Sequence, residues 1–314
     1  MINFSEGVEL LNFFAGSEKK KTVLYDEKRY MVKFPNPART DDVMTPYVNN
    51  TFSEYIGCKI FQSTGIKTQN VILGTYTLED KSKKVVCACE DFNTPTQRLV
   101  EFSNIAISNI DIEIKKTTDI SYIEKNIRAN KLISAPEHIL EKFWDMFIVD
   151  ALIGNPDRHN ANWGFLENLQ MQERSFAPIY DCGSAMRPLL SEDEISNFAT
   201  DFIGFKDIAY NIYSSLKVGK QRIHYALFLS EMKNENCNKA MMRMMPYIDM
   251  QEINNIVNET EFLSEQRKTF YKQFLEFRYE KILLPVYKKL LSVEQEKTKR
   301  ETKEEMKQGL RKNI

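Results

Sequence analysis

The chain carries almost no net charge: its 314 residues hold 43 lysines and arginines against 44 aspartates and glutamates, a formal balance of −1 with three histidines set aside. A nucleic-acid binder needs a clearly basic face, because counterion release rewards one, so nucleic acid is not an expected partner. Cysteine is scarce. Five residues (Cys58, Cys87, Cys89, Cys182, Cys237) make an odd number without the spacing of a secreted disulfide framework. Cys87 and Cys89 lie two apart, and no second pair completes a zinc site, so free thiols in a reducing compartment are expected. Long apolar runs are also missing. No stretch approaches the ~18 uncharged apolar residues that cross a bilayer, the richest being broken at Asp145 and Asp150, which argues against stable membrane insertion. Met1 to Gly16 lacks the basic start and apolar centre of a Sec-type signal peptide. Internal repeats and low-complexity linkers are absent as well.

What the sequence does have is core material, 42% hydrophobic and 11% aromatic, which excludes wholesale disorder. The length suits two domains or one large bilobal unit. The first third reads as strands. Thr22–Tyr25 and Arg29–Phe34 flank the polar Asp26-Glu27-Lys28 as a hairpin that Pro35 stops, and Val71–Tyr76 and Val85–Cys89 flank Asp80-Lys81-Ser82. Between them, Phe52, Tyr55, Ile56, Ile60 and Phe61 recur at helical spacing, closed by Gly65. From Pro136 to Leu152 apolar residues occupy every side, which predicts a central buried helix ended by Gly154-Asn155-Pro156. Short strands are expected at Trp163–Leu166 and Phe176–Tyr180. Helices resume from about Ala209, with a long one at Phe270–Val293 interrupted by Pro285. The tail from Glu294 alternates charges and reads as a solvated helix or frayed end. The fold class is α+β.

The informative stretch is Asn155-Pro156-Asp157-Arg158-His159-Asn160-Ala161-Asn162-Trp163-Gly164, followed by Pro178-Ile179-Tyr180-Asp181-Cys182-Gly183-Ser184. Singly, these residues are what a polar turn uses to cap itself. Together they supply two carboxylates and an amide oxygen, hard ligands suited to Mg²⁺, on a loop between a buried helix and short strands. Phosphoryl transfer needs a carboxylate beside the acceptor hydroxyl and oxygen ligands for the metal on the phosphates. Asp157 is the candidate base, and Asn162 and Asp181 the candidate metal ligands.

The Asp-Arg-His-x-x-Asn order resembles the catalytic loop of HipA-like bacterial serine/threonine kinases, which share it with phosphatidylinositol kinases, and Ala177–Asp181 is similar to their metal-binding strand. The resemblance spans roughly residues 10 to 290, and the overall length is similar to that of the compact, stand-alone members. It implies a bilobal protein-kinase-like (HipA/PI-kinase-like) fold with a β-rich ATP-binding N-lobe at 1–92 and a mostly helical C-lobe at 93–314. It implies ATP and Mg²⁺ as cofactors and a serine or threonine on protein, including the kinase itself, as acceptor. An inositol lipid or small alcohol is the alternative acceptor, and an ATP-binding pseudokinase or interaction module the alternative class. Lys33 stands where a kinase keeps its phosphate-binding lysine, with Glu54 as its ion-pair partner. Ala15 to Thr22, with Gly16 and Ser17, takes the place of the phosphate loop. It has one glycine, so Lys19 to Lys21 would contribute charge instead, and Ser17 is a candidate autophosphorylation site. Glu90 and Phe92 match the adenine-binding hinge through backbone atoms, and His159 would contact nucleotide or brace its loop. The expected location is the cytoplasm, with export by a route needing no Sec-type signal left open.

Overall fold

A computed structural model describes residues 2–11, 20–35, 49–105 and 117–312, with side chains to 299. Short strand β1 (Val8–Leu10) precedes a hairpin of β2 (Lys20–Tyr25) and β3 (Lys28–Lys33). Asp26 and Glu27 at its tip both have positive φ (48° and 59°), the two-residue turn whose twist matches paired strands. Helix α1 (Asn50–Ser63) follows, then β4 (Val71–Thr77) and β5 (Lys83–Glu90). The five strands form one antiparallel sheet in the order β1-β2-β3-β5-β4. Strand β3 is therefore interior, and its last residue, Lys33, faces Cys87 across the ladder.

Beyond the sheet come β6 (Gln97–Glu101), α2 (Ile120–Ala129), α3 (Pro136–Ile153), β7 (Gly164–Asn168) and β8 (Glu173–Phe176). Strands β6, β7 and β8 make a second antiparallel sheet. Helices α4 (Glu192–Asn197) and α5 (Phe202–Tyr210) lead to a hairpin, β9 (Tyr213–Val218) and β10 (Gln221–His224), and then to α6 (Tyr225–Glu231), α7 (Glu235–Met244), α8 (Met250–Glu259), α9 (Glu265–Arg278) and α10 (Leu284–Lys312). Every residue of α3 from Phe143 to Ile153 is buried, as its all-round apolar pattern predicts. Each large apolar side chain fully buried there contributes about 1.5–3 kcal/mol, making α3 the axis of the helical part. All five cysteines are buried free thiols.

Two expectations need correction. The strand expected at Phe176–Tyr180 ends at Phe176. Ala177 N still bonds Gly164 O on β7, but Pro178 has no amide to continue the ladder, and Ile179 N pairs elsewhere, with Lys67 O. The helices expected from Ala209 resume earlier, at Glu192, and are then interrupted until α6 begins at Tyr225, because Tyr213 to His224 form the β9–β10 hairpin. Its inward Ser214 and Leu216 alternate with more exposed neighbours, and Gly219, at φ +61°, makes the turn. Pro285 does interrupt the last helix: a π-helical turn at Tyr279–Leu283 precedes it, and α10 then continues through the charged tail.

Candidate active site

The loop after α3 is built from the helix end outward. Gly154 closes α3 in the left-handed region at φ +63°, and a Cβ there would come within 2.7 Å of Ile212 Cδ1 and 2.9 Å of Phe274 Cζ, so both conformation and space call for glycine. Asn155 joins the helix to the loop. Its Nδ2 donates to Asp150 Oδ1 (2.9 Å), its Oδ1 accepts from Asp157 N (3.0 Å), and its carbonyl accepts from the Tyr225 hydroxyl (2.6 Å).

Arg158 is the hub of the site. Its side chain is 1% exposed, like that of Asp150, with Nε 2.8 Å from Asp150 Oδ2. Nη1 donates to Asn162 O at 2.7 Å and also to Tyr180 O, so one guanidinium fastens the 157–162 loop to the residue before Asp181. Burial opposes the charge on Arg158, but the Asp150 carboxylate overrides burial and raises the guanidinium's proton affinity further. Removing one partner of a buried pair strands the other charge and typically costs about 3–5 kcal/mol. Arg158→Met should therefore destabilise the protein on that scale in denaturant titration. Adding Asp150→Asn should recover part of the loss; a double variant as unstable as the sum of the singles would contradict the pairing.

Asp157, Asn162 and Asp181 converge on one cavity of about 430 Å³, also lined by Lys33, His159 and Phe92. Asp157 is half exposed, and His159 Nε2 stands 3.9 Å from its Oδ1, beyond hydrogen-bonding range. Burial raises the Asp157 carboxyl pKa, His159 opposes this, and the like charge of Asp181 adds to it, with a net upward shift. Asn162 Nδ2 donates to Asp157 O (2.8 Å), which leaves its Oδ1 as the atom to offer a cation. His159 Nδ1 accepts from Ala161 N (3.2 Å), bracing its own loop.

Lys33, 5% exposed in β3, lies between two carboxylates, with Nζ 3.1 Å from Glu54 Oε2 and 2.8 Å from Asp181 Oδ1. The fully buried Glu54 also accepts from Asp181 N (3.1 Å). Burial would raise the Asp181 pKa, but Lys33, with Arg158 and His159 beyond, holds it below the usual range. Helix α1 approaches closely because residue 57 is glycine: a Cβ there would sit 2.6 Å from Cys182 Cβ. One aspartate and one amide oxygen fit Mg²⁺, which takes its remaining ligands from phosphates and water. Among the described residues no group of three or more His, Cys, Asp or Glu could hold a metal by itself.

At the sheet's edge of the cavity, Glu90 turns its carboxylate outward to Lys28 and Asn70. Its amide bonds Asn70 O, and its carbonyl accepts from Gln69 Nε2 (3.0 Å). Asp91 N is spent on Arg29 O. The Phe92 amide has no partner among the described residues, and the Phe92 ring lies 6.1 Å from that of Tyr180. Gly16, Ser17 and Lys19 lie outside the described residues; Lys20 lines the cavity, whereas Lys21 turns away to Glu9 at 2.7 Å. Sequence reasoning missed Asp150 as the partner of Arg158, though an aspartate inside an otherwise apolar helix was the available signal. It also missed the cavity residues Gln69 and Glu101.

Residues 13–263 match the model of the HipA-like C-terminal domain. The chain belongs to that family. The serine/threonine-protein kinase CtkA of Helicobacter pylori is 36% identical over 275 residues, covering 86% of this chain and 82% of CtkA. The crystal structure of the H. pylori proinflammatory kinase CtkA superposes with a TM-score of 0.84 at 34% identity, covering 93% of this chain and 98% of that one. HipA of Shewanella oneidensis MR-1, solved with HipB and operator DNA, matches in fold alone, with a TM-score of 0.53 at 15% identity over 89% of this chain and 69% of that one. The α+β architecture is thus a kinase-like fold. Among the described residues no helix is long and apolar enough to cross a membrane.

Proposed function

We propose that this chain is an ATP-dependent serine/threonine protein kinase of the HipA-like type. The observation that carries this reading is the Lys33 ammonium, held between Glu54 and Asp181 on the wall of the cavity that Asp157 and Asn162 also line. A buried lysine fixed by two carboxylates is placed to meet the α- and β-phosphates. Asp157 accepts the proton of the attacking hydroxyl, and Arg158 holds the Asp157 loop in register with Asp181. The backbone at Glu90–Phe92 receives adenine, with the Phe92 amide as donor, and His159 stands beside the phosphates. Magnesium, held by Asn162 and Asp181, would neutralise charge on those phosphates. By sequence, Gly16 and Ser17 are assigned to binding the nucleotide, with Ser17 also as an autophosphorylation site. The ATP-binding lobe runs to about residue 92 and the catalytic lobe from 93 to 314.

The acceptor is a serine or threonine hydroxyl on protein, including this chain itself, and the setting is the cytoplasm; the CtkA likeness supports both the activity and the acceptor. Labelled ATP supplied with a generic protein substrate and phosphoinositide vesicles tests the reading. Label is expected on serine or threonine of the substrate and of the kinase. Label on lipid alone, or ATP binding without transfer, would overturn it.

A further inference from the structure

Asp157 sits in a stretch without regular structure, so the peptide plane that carries it is held by individual bonds. That plane has two polar ends, the Asp157 amide and the Pro156 carbonyl, and the amide is spent on Asn155 Oδ1 (3.0 Å). Pro156 has no amide of its own, which leaves its carbonyl as its one main-chain handle. Two donors from the β9–β10 hairpin, as many as a carbonyl has lone pairs, reach that oxygen: Ser215 Oγ at 2.8 Å and Arg222 Nη2 at 3.0 Å. One residue back, the Asn155 carbonyl accepts from the hydroxyl of Tyr225, the residue that follows the hairpin (2.6 Å).

The two donors are themselves fixed. Arg222 Nε donates to Ser214 O (2.8 Å) and its Nη2 also to Tyr213 O (2.9 Å), which lays the guanidinium across β9. Lys217 N donates to Thr118 O (2.9 Å), Thr118 Oγ1 to Ser215 O (2.6 Å), and Asn160 Nδ2 to Thr117 O (2.8 Å). These bonds close a ring from residue 156 through 215 and 117–118 back to 160, and Asp157 lies on the enclosed arc. Arg222 is exposed, where water can replace a lost bond and the net gain in stability is small; what its bonds supply is geometry. We propose that Ser215 and Arg222 are positioning residues for phosphoryl transfer, clamping the Pro156 carbonyl so that the Asp157 carboxylate is aimed at the acceptor hydroxyl. The clamp rests on the kinase reading of the site. Neither residue lines the cavity, so each acts through the backbone at 156–157 and not on ATP.

Ser215→Ala and Arg222→Ala each remove one of the two donors. Misplacing a reacting group by about 1 Å costs about 10²-fold in rate, so each variant should lose about tenfold in kcat and the double variant about 10²-fold. The ATP dissociation constant, by calorimetry, and KM for ATP should not change. Ser215→Thr keeps the hydroxyl and should hold kcat near wild type. On an Asp157→Asn background no base is left to aim, so neither alanine should lower the residual rate further. Should Ser215→Ala fail to fold, Arg222→Ala, at an exposed position, carries the same test. Wild-type kcat in the alanine variants, a matching loss of ATP affinity, or a tenfold loss that persists on Asp157→Asn would each overturn the clamp and leave the kinase reading standing. Wild-type protein that transfers no phosphoryl group from ATP would overturn the kinase reading and the clamp together.

Discussion

Asp157→Asn should leave the protein folded and able to bind Mg·ATP while phosphoryl transfer falls by about 10²–10⁴-fold, the range a positioned general base contributes. The hydrogen bonds that hold residue 157 in place use its main chain: its amide donates to Asn155 Oδ1, and its carbonyl accepts from Asn162 Nδ2. The carboxylate itself makes no hydrogen bond among the described residues; His159 Nε2 stands 3.9 Å away. The substitution therefore changes proton affinity at one point and little else. Burial and the neighbouring Asp181 charge raise the Asp157 pKa, which improves it as a base, and an amide cannot take the acceptor's proton at all. Initial rates with a protein substrate, alongside ATP affinity, check the expectation. Near wild-type turnover would remove Asp157 from the mechanism.

The parts of this molecule that were legible in its sequence are those whose cause is local. The β2–β3 hairpin, the helix over 50–63 and the buried helix after Pro136 follow from periodicity and turn residues within a dozen positions, and the structure places them there. The β9–β10 hairpin was hidden because Ser214 and Ser215 interrupt its apolar pattern, and it is held in place by distant partners: Thr118 Oγ1 donates to Ser215 O, and Ser215 Oγ to Pro156 O. The strand expected through Tyr180 failed because its backbone is claimed by Lys67 and Gln69, over 100 residues earlier.

The same division runs through the site. Asp157, Asn162 and Asp181 could be read from one short motif and one strand, and they do line a common cavity. Lys33 and Glu54 needed the kinase likeness, because no local rule distinguishes a buried, paired lysine at a strand end from a solvated one. What the sequence left invisible is how these groups are held. The Arg158 link to Tyr180 and the close approach of α1 at Gly57 to Cys182 join segments that only the folded chain brings together.

Asp181 carries the other large effect. Its φ is +60°, a region that Asp and Asn tolerate better than most side chains. Alanine would add backbone strain to the loss of the carboxylate, so Asp181→Asn is the cleaner variant. It keeps the size, the backbone conformation and the amide that donates to Glu54 Oε1, and it removes only the negative charge. Lys33 would keep Glu54 at 3.1 Å as a partner, so the basic wall of the cavity should survive. What should vanish is the anionic oxygen offered to a cation. ATP should then bind with nearly the same affinity with and without Mg²⁺ in calorimetry, whereas wild type should gain affinity from the metal. Turnover should fall by about 10³-fold, or roughly 4 kcal/mol of lost transition-state stabilisation. A variant that still gains the full wild-type benefit from Mg²⁺ would show that Asp181 is not a ligand, and its contact with Lys33 at 2.8 Å would then be a structural ion pair.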